Sequence, residues 1–303
     1  MKLFAIFAMI LAISLTGCHH SHYSKSAEAN GSFSTIVLPS LPEELDFAGE
    51  NVPLQYIDVR EALQRELLVT CYMHSRTMLT LLNTERYFNM IEPILEKYGI
   101  PEDFKYLCVA ESGLNPEIVS PAGAAGLWQF MPHTAEEYGM MVGNQIDERY
   151  DVEKSTEAAC KYLIEAYEQF GSWTLAAASY NVGRNGVQRR LNAQHTSCYY
   201  DTFLPQETMR YIYRILSLKL VCSNPQAYGF TIKPKYCFKP LDGYRVVQVT
   251  GEHIYWSDVA IHYGTNYKIL RLFNPWIRAY EYNNPRNLTF DVKVPSKRFR
   301  TRG

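Results

Sequence analysis

Residues 101–113 read PEDFKYLCVAESG, and the stretch has the make-up of one short, buried helix. Pro101 suits a first helical position, and Glu102 and Asp103 put negative charge at the positive end of the helix dipole. Gly113, followed by Asn115-Pro116, closes it. Phe104, Leu107 and Cys108 fall at i, i+3 and i+4 and mark the buried face. Glu111 is the i+7 member of that series, so a carboxylate stands where the pattern asks for an apolar side chain. Two explanations fit the helix alone. Either the carboxylate snorkels or pairs with an arginine, or it sits in a low-dielectric cleft, where its pKa rises and it donates a proton.

A chain of 303 residues has room for one well-sized core and a smaller module. Lys+Arg 30 against Asp+Glu 31 leave a net charge of -1, which argues against a nucleic-acid binder driven by phosphate contacts. The aromatic share of 14%, with 23 tyrosines, fits a cleft for sugar rings, which have apolar faces and a polar rim. Most of those tyrosines serve helix packing.

The first residues, MKLFAIFAMILAISLTGC, give one positive charge, then an apolar run of about 13 residues, too short for a comfortable membrane span. Leu15-Thr16-Gly17-Cys18 looks like a bacterial lipobox, so residues 1–17 are expected to be a signal peptide and Cys18 the site of lipid attachment. Residues 18–50, rich in His, Ser, Asn, Gly and Pro, read as a tether; His19, His20 and His22 are a solvated leader before they are metal ligands. Export permits disulfides, and six further cysteines remain, Cys71, Cys108, Cys160, Cys198, Cys222 and Cys237. The first three sit in helical patterns, and the last three lie near loops and are the better bridge candidates.

Working outward from residue 101, residues 52–82 are helical in pattern, with Leu63, Leu67, Leu68, Cys71 and Met78 apolar, and a second helix covers about 85–98. After residue 113 come a small-residue loop at 121–126 and a helix begun by Pro132. Ala159, Tyr162, Leu163, Ala166 and Phe170 repeat at 3.6 residues; residues 173–180 and 207–221 add two more helices. Composition shifts after Asn224-Pro225. Residues 244–249 alternate as a strand, 257–263 and 267–273 are short helices, and 289–294 is a second strand. The expected fold is mainly α: a helical domain at 51–225, a linker at 226–242, and a small α+β module of βααβ order with a tail at 243–303.

The run 111–132, ESGLNPEIVSPAGAAGLWQFMP, resembles the signature of lytic transglycosylases with the goose-type-lysozyme-like fold. Ser179-Tyr180-Asn181-Val182-Gly183 is similar to that family's Ala-Tyr-Asn-Ala-Gly block, and Leu204-Pro205-Gln206-Glu207-Thr208 looks like its membrane-bound D type. The likeness spans residues 55–230 and implies a lysozyme-like helical catalytic domain. It implies that Glu111 is the single catalytic acid, that Ser120, Gln129 and Met131 line the sugar cleft, and that Tyr180 hydrogen-bonds near the catalytic carboxyl with Asn181 beside it. Gly123 and Gly126 would let backbone approach a ligand, whereas Leu127, Trp128 and Phe130 read as core. Residues 244–295 are similar to a LysM domain, a binder of N-acetylglucosamine chains, and depart from it at Gly251-Glu252 and in having no Pro-Gly turn before the last strand.

The resemblance implies cleavage of the β-1,4 bond between N-acetylmuramic acid and N-acetylglucosamine in peptidoglycan, with a 1,6-anhydro product. No second acid appears in the matching blocks, and the resemblance implies that Glu111 acts first as acid and then as base, with help from the substrate's N-acetyl group. No metal or cofactor is called for. The expected partners are peptidoglycan strands and, through the lipid on Cys18, a bacterial membrane seen from its periplasmic side, the outer membrane first. A lysozyme-type hydrolase on the same fold and a non-catalytic cell-wall-binding lipoprotein are the competing readings.

Overall fold

Helical periodicity carries directly into tertiary structure. The computed structural model describes residues 37–296 and 299–301. The leader, Cys18 and the three histidines that follow it lie outside the described residues. Helix α1 (Ile57–Tyr72) buries Val59, Leu63, Glu66, Leu67, Thr70 and Cys71 along one face. α2 (His74–Lys97) follows after a break at Met73, whose ψ of 55° is not helical. The sequence pattern placed that break between 82 and 85. It falls ten residues earlier because the Thr77 hydroxyl bonds back to Thr70 O (2.6 Å) and folds α2 against α1.

α3 (Phe104–Ser112) is the core helix, with Phe104, Leu107 and Cys108 all buried. It begins three residues later than Pro101, since residues 101–103 form the entry turn and Asp103 accepts from Ala48 N (2.7 Å) and Lys219 Nζ (2.7 Å). It ends as expected at Gly113 in the left-handed region, φ 61°. α4 (Pro132–Glu137) and α5 (Val152–Phe170) follow, α5 capped by Asp151, whose carboxylate accepts from Glu153 N and Lys154 N. α6 (Trp173–Val182) and α8 (Gln206–Ser223) flank α3, and between them lies α7 (Arg184–Gln194), which the sequence reading passed over. α7 is mostly polar and buries only Gly186, Val187 and Leu191, so its pattern is faint. The mainly α class is borne out.

Two stretches read as connectors are packed. Within 18–50, strand β1 (Asp46–Phe47) pairs with β2 (Glu50–Asn51), Phe47 is fully buried against Phe104, and Glu50 caps α6 through Thr174 N (3.0 Å). Within 226–242, Phe230 is buried and Phe238 N bonds to Leu82 O (2.7 Å), so the segment runs back along α2. Apolar side chains with a surface to cover overrode the polar composition around them. The six described cysteines are all free, the bridge candidates Cys198, Cys222 and Cys237 among them.

The C-terminal module pairs β3 (Tyr244–Val249) with β6 (Phe290–Pro295), antiparallel, Tyr244 facing Pro295 and Val249 facing Phe290. Helices α9 (Trp256–His262) and α10 (Tyr267–Phe273) cover the sheet, giving the expected βααβ order. A second pair, β4 (His253–Tyr255) with β5 (Glu281–Asn283), was not anticipated because each strand is three residues long. Trp256 packs edge-on to Trp276 and Phe290. Ile146 of the helical domain joins this second core and bridges to Ile277.

Candidate active site

Glu111 occupies the last turn of α3, half-buried, and its carboxylate accepts a hydrogen bond from the Tyr211 hydroxyl of α8. Burial raises its pKa from an ordinary 4.5 to about 7; the Tyr211 bond and the charge of Arg214 pull the other way, and Glu207 adds a small upward push. A carboxyl in that position exchanges its proton near neutrality. The Tyr211 phenol is pushed far up, by burial first and then by the Glu111 charge, so it remains a donor throughout.

Ser120 and Gln129 belong to the loop that follows. The Ser120 hydroxyl accepts from Ala124 N (3.0 Å) and Ser120 N donates to Ala124 O (2.8 Å), which closes a tight turn. The Gln129 amide donates to Gly126 O (2.8 Å) and Ile118 O (3.2 Å) from a backbone at φ 49°, so its side chain holds the loop's own carbonyls. Met131 caps α4 and is 43% exposed. Gly123 faces open space, but a Cβ on Gly126 would meet Arg149 O at 2.0 Å. Gly126 therefore serves a backbone crossing within the protein, in place of the ligand approach that the sequence suggested.

Tyr180 approaches Glu111 without bonding to it. Its hydroxyl donates to Trp128 O (2.8 Å), and its ring packs edge-on to Tyr162 and Phe130. Burial and then the Glu111 charge push its pKa far up. Asn181 turns to α8, where its carbonyl accepts from the Thr208 hydroxyl (2.8 Å). Leu127, Trp128 and Phe130 are core, as expected, with the Trp128 indole donating to Thr156 (2.8 Å).

Two residues that sequence reasoning missed complete the site. Tyr211, not Tyr180, bonds to the carboxyl. It stands in an apolar helix pattern between Met209 and Ile212, where a tyrosine reads as packing. Arg149 is buried and paired with Asp147 (2.8 Å), and it donates to Gly123 O (2.7 Å) and Phe130 O (3.1 Å), fastening both ends of the loop. Asp147-Glu148-Arg149 follows no periodicity, and no local signal marks it. Nearer the start of the same loop, Glu117 meets Arg278 of the C-terminal module (3.0 Å), whose guanidinium stacks on Tyr150 at 3.8 Å.

Among the described residues no group of His, Cys, Asp and Glu is arranged to hold a metal ion, and no helix is long and apolar enough to cross a membrane.

Residues 89–202 match the family described as Transglycosylase SLT domain, and residues 245–298 match the Soluble lytic transglycosylase C-terminal LysM-like domain. The chain is 32% identical over 176 residues to membrane-bound lytic murein transglycosylase D of Escherichia coli K12, covering 56% of this chain and 38% of that relative. It is 34% identical over 83 residues to the soluble lytic murein transglycosylase of the same organism, covering 26% of this chain and 13% of the relative. The chain thus spans well under half the length of either. The crystal structure of the 70 kDa soluble lytic transglycosylase of Escherichia coli aligns at 23% identity and a TM-score of 0.40, over 55% of this chain and 29% of its own.

Proposed function

We propose that this chain, which carries an SLT domain and a LysM-like module, is a lytic transglycosylase that cleaves peptidoglycan between N-acetylmuramic acid and N-acetylglucosamine. The observation that carries the reading is the Glu111 carboxyl, raised to about 7 by burial and held by one phenol at the end of the core helix. A group so poised is protonated often enough to act as an acid and is basic enough to take the proton back.

In the first step Glu111 donates its proton to the bridging oxygen as the bond from that oxygen to the muramic C1 breaks. The substrate's N-acetyl oxygen stabilises the positive charge at C1. The Glu111 carboxylate, steadied by the Tyr211 hydroxyl, then removes the proton of the C6 hydroxyl. Its oxygen closes on C1 and gives the 1,6-anhydro ring. One bond breaks, one forms, and no water is consumed. Arg149 and Gln129 hold the loop's own carbonyls at Gly123 and Ile118. Ser120, Met131, Tyr180 and Asn181 stand around the saccharide in this reading, with Met131 and Asn181 exposed to solvent.

We place the catalytic domain at 51–225 with the added support of residues 46–50, and assign glycan retention to the module at 243–303. The leader and Cys18 would hold the protein on the periplasmic side of a bacterial membrane. A Cys18→Ala protein is expected in the soluble fraction, without lipid label. The decisive experiment is the mass of the sugars released from purified sacculi. Anhydro products support the reading; products heavier by one water mean a hydrolase, and no release means a wall-binding protein.

A further inference from the structure

Residues 141–150 of the helical domain are gripped from two sides. On one side they complete the C-terminal module. Ile146 is 3% exposed and packs with Trp276, Ile277 and Phe290 in that module's core. Asp147 N donates to Trp276 O and Arg278 N donates to Gln145 O, both at 2.9 Å, so Ile146 and Ile277 face each other as an antiparallel bridge. Without this isoleucine the small module would leave part of its core open to water.

On the other side the same stretch holds the loop that carries Ser120 and Gln129. Asp147 takes the Arg149 guanidinium on both carboxylate oxygens (3.0 and 2.8 Å), and Arg149 donates to Gly123 O (2.7 Å) and Phe130 O (3.1 Å). The Arg149 carbonyl runs so close beneath Gly126 that no Cβ fits between them. Yet residues 148–150 are a single 3-10 turn, too short to fix its own position. What the turn packs against fixes it.

Arg278 ties the two sides together. Its guanidinium lies 3.8 Å from the centre of the Tyr150 ring, which is buried and next in sequence to Arg149. Stacking on a buried ring is worth more than an exposed ion pair, so the bond to the half-exposed Glu117 (3.0 Å) is the lesser contact. Lys293 adds a further tie to Glu153 (2.6 Å) in the first turn of α5. Resting on the reading given above, we propose that the C-terminal module braces the loop that follows Glu111, with Arg278 a positioning residue that acts through Tyr150 and Arg149. A module that only retained glycan would, when weakened, raise KM for long strands. A brace sets kcat on any substrate, because it fixes where the cleft's groups stand when the bond breaks.

The test uses the full chain with Arg278→Ala, Arg278→Lys and, as a control elsewhere on the module, Lys268→Ala, which removes an exposed charge of α10. Turnover is measured on a soluble tetrasaccharide of the glycan, on which retention of long strands has no bearing. Arg278→Ala should lower kcat about tenfold with KM within about twofold of the wild type. Arg278→Lys, which restores a cation over the ring, should recover part of that loss, and Lys268→Ala should show none. Residues 118–131 should exchange their amide hydrogens about tenfold faster in Arg278→Ala, with α2 unchanged. A rise in KM alone, an unchanged loop exchange, or the same loss in Lys268→Ala overturns the proposal. The wild type gives a second test that needs no variant. The amides of Asp147 and Arg278, which cross between the domains, should open as one unit with those of Ala125 and Gly126. Crossing amides that open while the loop amides stay protected overturn the brace. If the wild type releases nothing from any glycan, the functional reading fails, and the exchange data still decide the brace.

Discussion

Glu66 and Glu111 make an instructive pair. Each is a carboxylate set in the buried face of a helix, each points toward α8, and each breaks an otherwise apolar series. Glu66 is 2% exposed and is met by Arg210 at 2.7 Å with Arg214 behind it. Glu111 receives a neutral phenol, and Arg214 acts on it only as a charge nearby. The two ways of tolerating a carboxylate in a helix face are thus both realised within one core, from successive residues of α8. A buried acid opposite a guanidinium is a structural ion pair. A buried acid opposite a phenol keeps a proton available.

The largest expected effect tests that division at Glu111. Glu111→Gln keeps the shape and most of the hydrogen bonding but removes the proton, and product release from sacculi should fall by about 10³-fold or more. Near wild-type release from a folded variant would show that another acid does the chemistry. The same variant carries a stability signature. The folded chain holds a proton at Glu111 that the unfolded chain gives up from 4.5 upward, so this group's contribution to stability declines as pH rises from 4.5 to about 7. Glu111→Gln should therefore gain in Tm relative to wild type at pH 8 and show little difference at pH 4.

The ion pair is tested next. Arg210→Ala strands Glu66 in the core with only the more distant Arg214, and about 3 kcal/mol of stability should be lost in denaturant titration. Glu66→Gln leaves arginines that reach solvent and should cost less, on the order of 1 kcal/mol. Equal costs would mean that the stranded carboxylate is not what destabilises Arg210→Ala.

A subtler effect concerns Tyr211. Its hydrogen bond lowers the Glu111 pKa, so Tyr211→Phe should move the alkaline limb of kcat/KM, near pH 7 in the wild type, to higher pH. A limb that stays in place would separate Tyr211 from the acid's titration. The smallest effect belongs to Glu117, the next glutamate along the chain. It is half exposed and paired with Arg278 at 3.0 Å, so Glu117→Gln should change stability by less than about 1 kcal/mol and leave product release intact.

The sequence by itself determined the elements whose causes are local. Apolar periods placed the helices around Leu63, Leu107 and Leu163, Gly113 ended α3, Pro132 began α4, and alternation marked β3 and β6. These signals act within a turn or two of the chain, so they survive without a fold. The anomalous Glu111 was legible for the same reason, as a break in a local series. Tertiary structure alone decided what that carboxylate meets. Tyr211 lies 100 residues away, and nothing in the spacing of either helix distinguishes its phenol from a packing tyrosine. The same holds for Arg149 behind the loop, for the backbone that excludes any Cβ at Gly126, and for Phe47, drawn from an apparent tether into the core. Periodicity says which side of an element faces inward, whereas a pKa depends on the few ångströms around one group, and only the packed chain sets those distances.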